Sequence, residues 1–217
     1  MKKSFILLSA VLFFLLSAQD FDAGTFKLHN GAVVENGVLK LDGKKAYATV
    51  PGTEKIAFAA PGVTFACSVK PVYDTGKGDG NKMMDSYFSR SKAPFTFCRW
   101  GTLLSTRIIN PKTGKYQIER VYSIPKAGTW SHIAFVFLPV AGKENTWQQL
   151  FYINGKKVFD KTIENFIPQS GTGPVELGKG WGQTWLFTGE ISDVHIAQKA
   201  LNANEISALV KKSRAAK

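Results

Sequence analysis

Apolar and polar residues alternate with a period of two along most of this chain, and proline, glycine or asparagine ends each alternating run. Residues 63–71 read VTFACSVKP, for instance, and residues 115–125 read KYQIERVYSIP. A period of two places successive side chains on opposite faces of an extended strand, so the pattern predicts strands with one buried face. About a dozen such runs predict an all-β protein, a two-sheet antiparallel β-sandwich with one short C-terminal helix.

Local signals place individual elements within that sandwich. Residues 130–140 are apolar on both faces, which predicts a strand in the middle of a sheet. The dipeptides at 154–155 (Asn-Gly) and 42–43 (Asp-Gly) each stand between two strand-like runs, and both favour the tight turn of a hairpin. Asn202 followed by Glu205 predicts a capping box at the start of the C-terminal helix.

The N-terminus has the three parts of a secretory signal peptide. Two lysines precede an apolar run from residue 5 to residue 16, and small residues follow up to Ala18. The run is shorter than the roughly 20 apolar residues of a membrane-spanning helix. We therefore expect residues 1–18 to be a cleaved signal peptide and residues 19–217 to be a single domain with no transmembrane segment. The mature protein would then be secreted or lie in the periplasm or cell envelope.

The charge balance indicates which partners suit the chain. Lys and Arg number 28 against 16 for Asp and Glu, a net charge of +12. Loss of the two lysines in the signal peptide leaves 26 against 16, a net charge of +10. The cations are spread over the chain and no stacking motif accompanies them, so nucleic acid is not an expected partner. An exported basic protein suits anionic glycans or envelope surfaces.

The two cysteines, Cys67 and Cys98, lie in apolar strand-like runs. Export would allow a disulfide between them, because oxidising compartments favour disulfides. Buried free thiols are also common in such apolar surroundings. The sequence leaves both alternatives open, and two cysteines exclude a disulfide-dense mini-protein and a zinc module built on cysteines.

Five short motifs follow one another in the C-terminal half: a Trp-x-His strand, a Tyr-Ile-Asn-Gly hairpin, a Leu-Gly strand, a Gly-x-Ile strand and a helix opened by Leu-x-x-x-Glu-Ile. They occupy residues 130–132, 152–155, 177–178, 189–193 and 201–206. In this order they resemble the laminin-G-like group of the concanavalin A-like lectin/glucanase superfamily. The resemblance implies a jelly roll of two sheets, one of them concave, with ligands on the concave face or on the rim loops.

The resemblance does not fix an activity, because the fold hosts lectins, hydrolases, lyases and adhesion modules. Related glucanases carry the string Glu-x-Asp-x-x-Glu, which is absent from this chain. A lyase would pair a Tyr or His base with Arg or Gln, and without any lyase motif the sequence offers for this role Arg99, Arg107, Gln117, Arg120, Tyr116 and Tyr122. Three histidines stand singly in strands, which is typical of structural histidines.

We therefore expect an exported, non-enzymatic module that binds carbohydrate or glycoprotein, with acidic polysaccharide as one candidate ligand. The alternatives are a polysaccharide hydrolase or lyase on the same fold and a structural protein–protein adhesion module.

Two sets of residues are candidates for binding sites. Aromatic rings stack on sugar faces, so Trp181, Trp147 and Trp185 are candidate carbohydrate contacts, with packing against the sandwich as the alternative. The resemblance also implies calcium at the rim, and the polar segment 73–86 offers oxygen ligands from Asp74, Asp79, Asn81 and Asp85. The alternative for this segment is a solvated polar loop.

Overall fold

The computed structural model describes residues 19–217 apart from 22, 74–83, 91–94, 170 and 181–184. The predicted signal peptide lies outside the described residues. Within the described part, the chain forms fifteen strands in two antiparallel sheets and one α-helix, which confirms the predicted fold class. No helix among the described residues is long and apolar enough to cross a membrane.

The strands are numbered in chain order. Sheet A contains β1 (Gln19–Phe21), β3 (Val33–Glu35), β4 (Val38–Asp42), β6 (Val63–Pro71), β11 (Ser131–Pro139), β12 (Trp147–Ile153), β13 (Lys156–Ile163) and β15 (Thr188–Ala197). Sheet B contains β2 (Lys27–His29), β5 (Tyr47–Val50), β7 (Met84–Arg90), β8 (Phe95–Trp100), β9 (Leu103–Ile109), β10 (Tyr116–Val121) and β14 (Val175–Leu177).

Strand order shows how the chain passes back and forth between the two sheets. Sheet A has the order β13-β12-β11-β6-β15-β4-β3, with β1 paired to β15. Sheet B has the order β10-β9-β8-β7-β14-β5-β2. Helix α1 (Ala203–Lys212) follows β15, and short 3-10 turns lie at Ala23–Thr25 and Arg214–Ala216.

The inner faces of the two sheets enclose a core rich in phenylalanine. Phe135 of β11 is fully buried, and its ring centroid lies 5.6 Å from that of Phe97 in sheet B. The rings of Phe65 and Phe151, on the strands either side of β11, lie 6.2 and 5.9 Å away. Since β11 pairs with both β6 and β12, the prediction of a central strand at residues 130–140 is confirmed.

Helix α1 covers the outer face of sheet A. Ala134 and Val136 of β11 point away from the main core and form a second buried cluster with Leu201 and Ile206. This explains why β11 is apolar on both faces: one face packs against sheet B and the other against the helix segment. The outer face of sheet B carries no helix in the part of the chain that the structure describes.

The two turn predictions had different outcomes. The Asn-Gly turn at 154–155 joins β12 to β13, and both residues have positive φ angles, 49° and 78°. That hairpin prediction is confirmed. The Asp-Gly dipeptide at 42–43 does not form a hairpin, because β4 lies in sheet A and β5 in sheet B. Asp42 closes this turn by accepting the backbone N–H groups of the next residues, Lys44, Lys45 and Ala46.

Both cysteines carry free, buried thiols in the structure. Of the two alternatives that the sequence left open, a disulfide or buried thiols, the structure has the buried thiols. Cys67 faces the core from β6 in sheet A, whereas Cys98 lies on β8 in sheet B. Packed sheets are about 10 Å apart, and a disulfide needs Cα atoms within about 7 Å. Burial raises the pKa of both thiols, that of Cys98 to about 12.

The predicted capping box is present at the start of α1. Asn202 Oδ1 accepts the backbone N–H groups of Asn204 and Glu205 at 2.9 and 3.1 Å, and the Glu205 carboxylate accepts the Asn202 N–H at 2.8 Å.

We expect Asn202→Ala to lower the free energy of unfolding by about 1 kcal/mol, because two N–H groups of the first helical turn lose their acceptor. Denaturant titration measures the loss. Asn204→Ala changes a residue in the first turn of α1 and keeps the Asn202 side chain, so it should change the free energy of unfolding by less than about 0.5 kcal/mol. Equal losses in the two variants would show that the cap does not contribute.

Candidate functional site

The outer face of sheet B is the surface formed by side chains that alternate with its core residues. On β8, Phe95 and Phe97 belong to the core, so Trp100 points outward. The strand register then places Arg107 of β9 and Arg120 of β10 on the same face. The sequence alternation therefore presents large cationic and aromatic side chains together on one surface.

Guanidinium groups lie against aromatic rings on this face. Arg107 Cζ is 4.7 Å from the ring centroid of Tyr116 and 5.0 Å from that of Trp185. Arg120 Cζ lies 3.9 Å from the Trp100 ring. The contact with Trp100 holds the exposed Arg120 guanidinium in place while leaving its N–H donors able to bond a carboxylate or hydroxyl.

A second aromatic group lies toward the other edge of the sheet. The rings of His29 and Tyr47 are stacked, with centroids 4.4 Å apart and planes 9° from parallel. Lys179 Nζ lies 4.2 Å from the Tyr47 ring centroid, and His29 Nε2 is 3.1 Å from the hydroxyl of Thr49. Burial, helped by the charges of Lys27 and Lys179, lowers the pKa of His29 and favours its neutral form.

Glu176 connects this group to the centre of the sheet. Its Oε1 accepts a hydrogen bond from Lys179 Nζ at 3.2 Å, and its Oε2 accepts one from the hydroxyl of Ser89 at 3.3 Å. Both ionic side chains are largely buried, with 14% of the Lys179 and 10% of the Glu176 side chain exposed. The Glu176 carboxylate therefore neutralises the Lys179 ammonium group at a place where little solvent screens the two charges.

Carboxylates are scarce on the outer face. The described strands of sheet B carry three, of which Glu176 alone points outward. Glu119 points inward and binds Lys161 at 2.8 Å, and buried Asp85 forms a salt bridge with Arg99. A retaining glycosidase needs two carboxylates about 5 Å apart. The described part of this face offers no such pair, and its outward side chains are mainly aromatic rings, cations and hydroxyls.

A different polar cluster lies on the outer face of sheet A, beside the end of α1. His132, Asp193 and His195 line a pocket of about 210 Å³ together with Lys212 and Ser213. His132 is 1% exposed, and its Nδ1 has no hydrogen-bond partner among the described residues. Burial lowers the pKa of His132 to about 4, so its ring is neutral near pH 7. In the described part of the chain, no three His, Cys, Asp or Glu residues are arranged to hold a metal ion.

The structure separates the predicted carbohydrate contacts. Trp185 is 7% exposed and lies on the outer face of sheet B, against Arg107. Trp147 stacks on Phe137 at 4.7 Å, at the edge of the core, and does not meet Trp185. Trp181 lies outside the described residues.

The predicted calcium ligands have only one described member. Asp74, Asp79 and Asn81 lie outside the described residues, so the calcium site stays a prediction. Asp85 lies in strand β7 rather than in a loop, and its carboxylate accepts a hydrogen bond from Arg99 Nε. Burial raises the pKa of Asp85 to about 6, against the opposing charge of Arg99. Calcium would have to displace this cation to reach Asp85.

Sequence reasoning considered Arg107, Arg120 and Tyr116 only as lyase candidates, and it missed Trp100, Tyr47 and Glu176. The alternation contained part of the signal, since residues two apart from core positions must point outward. The contacts between strands depend on the register of a whole sheet, which the local pattern does not supply.

Comparisons with known proteins identify the fold. Domain 4 of AbnA, a GH43 extracellular arabinanase from Geobacillus stearothermophilus whose structure contains arabinotriose, is 18% identical with a TM-score of 0.63, covering 90% of this chain and 98% of that one. The receptor binding domain of botulinum neurotoxin mosaic serotype C/D is 12% identical with a TM-score of 0.64. The binding domain of Paraclostridial Mosquitocidal Protein 1 is 14% identical with a TM-score of 0.64.

The two toxin domains are longer than this protein. Each match covers 91% of this chain but only 46% of the neurotoxin domain and 52% of the mosquitocidal one, so the chain spans about half their length. No curated protein matches the chain by sequence.

A family model decides the relationship. The model described as concanavalin A-like lectin/glucanases superfamily, of the laminin-G type, matches residues 42–207. That range runs from the end of β4 into α1 and so includes most strands of both sheets. The chain belongs to the concanavalin A-like lectin/glucanases superfamily.

Proposed function

We propose that this protein is a non-enzymatic binding module that recognises carbohydrate with the outer face of sheet B. The observation that carries the proposal is the set of aromatic rings and guanidinium groups on this face, above all Trp100, Arg107, Tyr116 and Arg120. Aromatic rings offer flat apolar surface to sugar rings, and guanidinium groups bond hydroxyls and carboxylates. Glycoproteins enter the proposal through their sugar chains.

Acidic polysaccharide is the ligand that the charges favour. Arg107 and Arg120 point outward on neighbouring strands, and Glu176 is the one outward carboxylate of the described strands of sheet B. The whole chain carries a net charge of +12, or +10 once residues 1–18 are removed, which attracts polyanions at long range. Bidentate bonding between guanidinium and carboxylate adds directionality to that attraction.

Two structural neighbours support a binding role. Domain 4 of AbnA was solved in complex with arabinotriose, and the botulinum neurotoxin domain is a receptor binding domain. Both present the same fold as a module within a longer protein. Export through residues 1–18 would bring this module to extracellular polysaccharides, and it remains part of the proposal.

Within this proposal, the predicted tryptophans have different roles. Trp185 contributes by holding Arg107, because it is largely buried against that guanidinium. Trp181 precedes it by four residues and stays a candidate for direct sugar contact. Trp147 is a core residue by its contacts with Phe137.

Two substitutions test the proposed face. We expect Arg120→Gln and Trp100→Ala each to weaken polysaccharide binding about tenfold, equivalent to about 1.4 kcal/mol. Affinity gel electrophoresis against pectin, polygalacturonate, alginate, arabinan and xylan would find the ligand and measure the loss. Arg120 is exposed, so its substitution should leave the fold intact.

The matched control is Lys156→Gln, which removes one positive charge from the opposite sheet. It should bind like the unmodified protein. Equal weakening in Lys156→Gln and Arg120→Gln would show that only net charge matters, and unchanged binding in both face variants would place the site elsewhere. Binding to a glycoprotein that persists after its glycans have been removed would favour the adhesion alternative.

A further inference from the structure

The charge on the outer face of sheet B is unevenly distributed. Arg120 lies on β10, and no carboxylate among the described residues forms a salt bridge with it. Glu176 lies on β14, four strands along in the order β10-β9-β8-β7-β14. Four strand spacings amount to about 19 Å, whereas charges in physiological salt are screened over about 8 Å. Glu176 therefore does not neutralise the cationic end of the face.

Glu176 acts on Lys179 instead. Its Oε1 lies 3.2 Å from Lys179 Nζ, and the low exposure of both side chains shields this ion pair from solvent. The same ammonium group lies over the Tyr47 ring. Because Glu176 already compensates its charge, Lys179 attracts a negative group on a ligand only weakly.

We infer that Glu176 determines the specificity of this face for sparsely charged polysaccharides. The inference rests on the proposed function of the same surface. A chain lying across sheet B would meet Arg107 and Arg120 at β9 and β10. At β14, β5 and β2 it would meet an aromatic end where Glu176 compensates Lys179, so that exposed Lys27 of β2 is the cation left without the Glu176 carboxylate. The first end selects a carboxylate, and the second accepts an uncharged sugar. A polymer with a negative charge on every sugar gains nothing from Lys179 at the second end, because Glu176 already neutralises that ammonium group.

Glu176→Gln tests this inference, because Gln keeps the size of the side chain and one acceptor oxygen but removes the negative charge that neutralises Lys179. The probes are polygalacturonate, with a carboxylate on every sugar, and highly methyl-esterified pectin, with the same backbone and few charges. We expect the variant to bind polygalacturonate about three- to tenfold more tightly than the unmodified protein, the range of one added ion pair. Binding to the esterified polymer should not change.

Two control variants separate position from net charge. Glu35→Gln removes a carboxylate of the same kind from sheet A, where Glu35 pairs with Lys40, and should not alter either affinity. Glu176→Gln combined with Lys179→Gln should lose the gain, because the released cation is gone. Thermal unfolding of each variant checks that the fold is retained.

The outcomes distinguish this inference from the proposed function. No gain for polygalacturonate in Glu176→Gln, or an equal gain in Glu35→Gln, overturns the role of Glu176, whatever the unmodified protein binds. Binding that is unaffected by Arg120→Gln and Trp100→Ala overturns the proposed face itself. A gain in Glu176→Gln that disappears in the double variant supports the inference.

Discussion

Phe135→Ala should lower the free energy of unfolding by about 4 kcal/mol, within the range for large aromatic residues removed from a core. Phe135 is fully buried and contacts rings from both sheets, including Phe97 of sheet B and Phe151 of sheet A. The truncation leaves a cavity between the two sheets, and β11 is bounded on both sides and on its outer face, so the strand has little freedom to move inward. Unfolding in guanidinium chloride, followed by tryptophan fluorescence, measures the loss of stability.

The matched control is Tyr122→Ala, since Tyr122 is 87% exposed. That substitution should change stability by less than about 0.5 kcal/mol. If Phe135→Ala does not fold, Phe135→Leu provides the second measurement and should cost roughly 1–2 kcal/mol, because much of the volume is retained. A loss below about 1 kcal/mol in Phe135→Ala would contradict a single core shared by the two sheets.

His132 should make the protein less stable in mild acid. Burial lowers its pKa to about 4 in the folded state, whereas an unfolded chain has the ordinary value near 6.5. Between pH 6.5 and 4, the unfolded state therefore binds a proton that the folded state refuses, and stability falls as the pH falls. The full shift corresponds to about 3 kcal/mol. Asp193, His195 and Lys212 border the same pocket and set its electrostatic surroundings.

Asp85 has the opposite effect in the same pH range. Its pKa rises to about 6 on burial, so its contribution is greatest below pH 4 and is lost as the pH rises to 6. The two groups partly cancel in the unmodified protein, and single variants are needed to separate them. The stability difference between the unmodified protein and His132→Gln should shrink by about 3 kcal/mol from pH 7 to pH 4. A difference that does not depend on pH would contradict a buried neutral His132, and Asp85→Asn should show the reverse trend.

Local sequence signals predicted the elements whose structure is decided locally. The turn at 154–155 needs positive φ at both residues, and Asn-Gly provides it. The capping box at Asn202 involves residues three apart, so the sequence contained all of it. The central position of β11 followed from its two apolar faces, because a strand covered on both sides has no polar face to present to water.

Features that depend on distant parts of the chain were not predictable in the same way. The turn at 42–43 is tight as expected, but it connects the two sheets, because β4 pairs with β3 and β15 in sheet A whereas β5 pairs with β2 and β14 in sheet B. The contact of Arg107 with Trp185 joins residues far apart in the chain and depends on where the segment before β15 crosses sheet B. The two cysteines likewise occupy similar local patterns but lie in different sheets.

The site follows the same rule. The sequence suggested tryptophans as sugar contacts because of their residue type alone. In the structure, Trp147 packs on Phe137 at the edge of the core, whereas Trp100 lies beside Arg120 on the outer face of sheet B. Side-chain chemistry alone does not distinguish these roles, since an aromatic ring suits both a core and a sugar. The distinction comes from which face of which sheet each ring occupies.

NMR titration tests the central proposal most directly. Isotope-labelled protein would be titrated with oligosaccharides cut from the polysaccharide that it binds most tightly in the electrophoresis panel. We predict that the largest shifts affect the Trp100 indole N–H and the Nε–H group of Arg120, followed by backbone amides of β8, β9 and β10. Shifts confined to the pocket around His132 and His195, or to the outer face of sheet A, would contradict the proposal that sheet B binds the ligand.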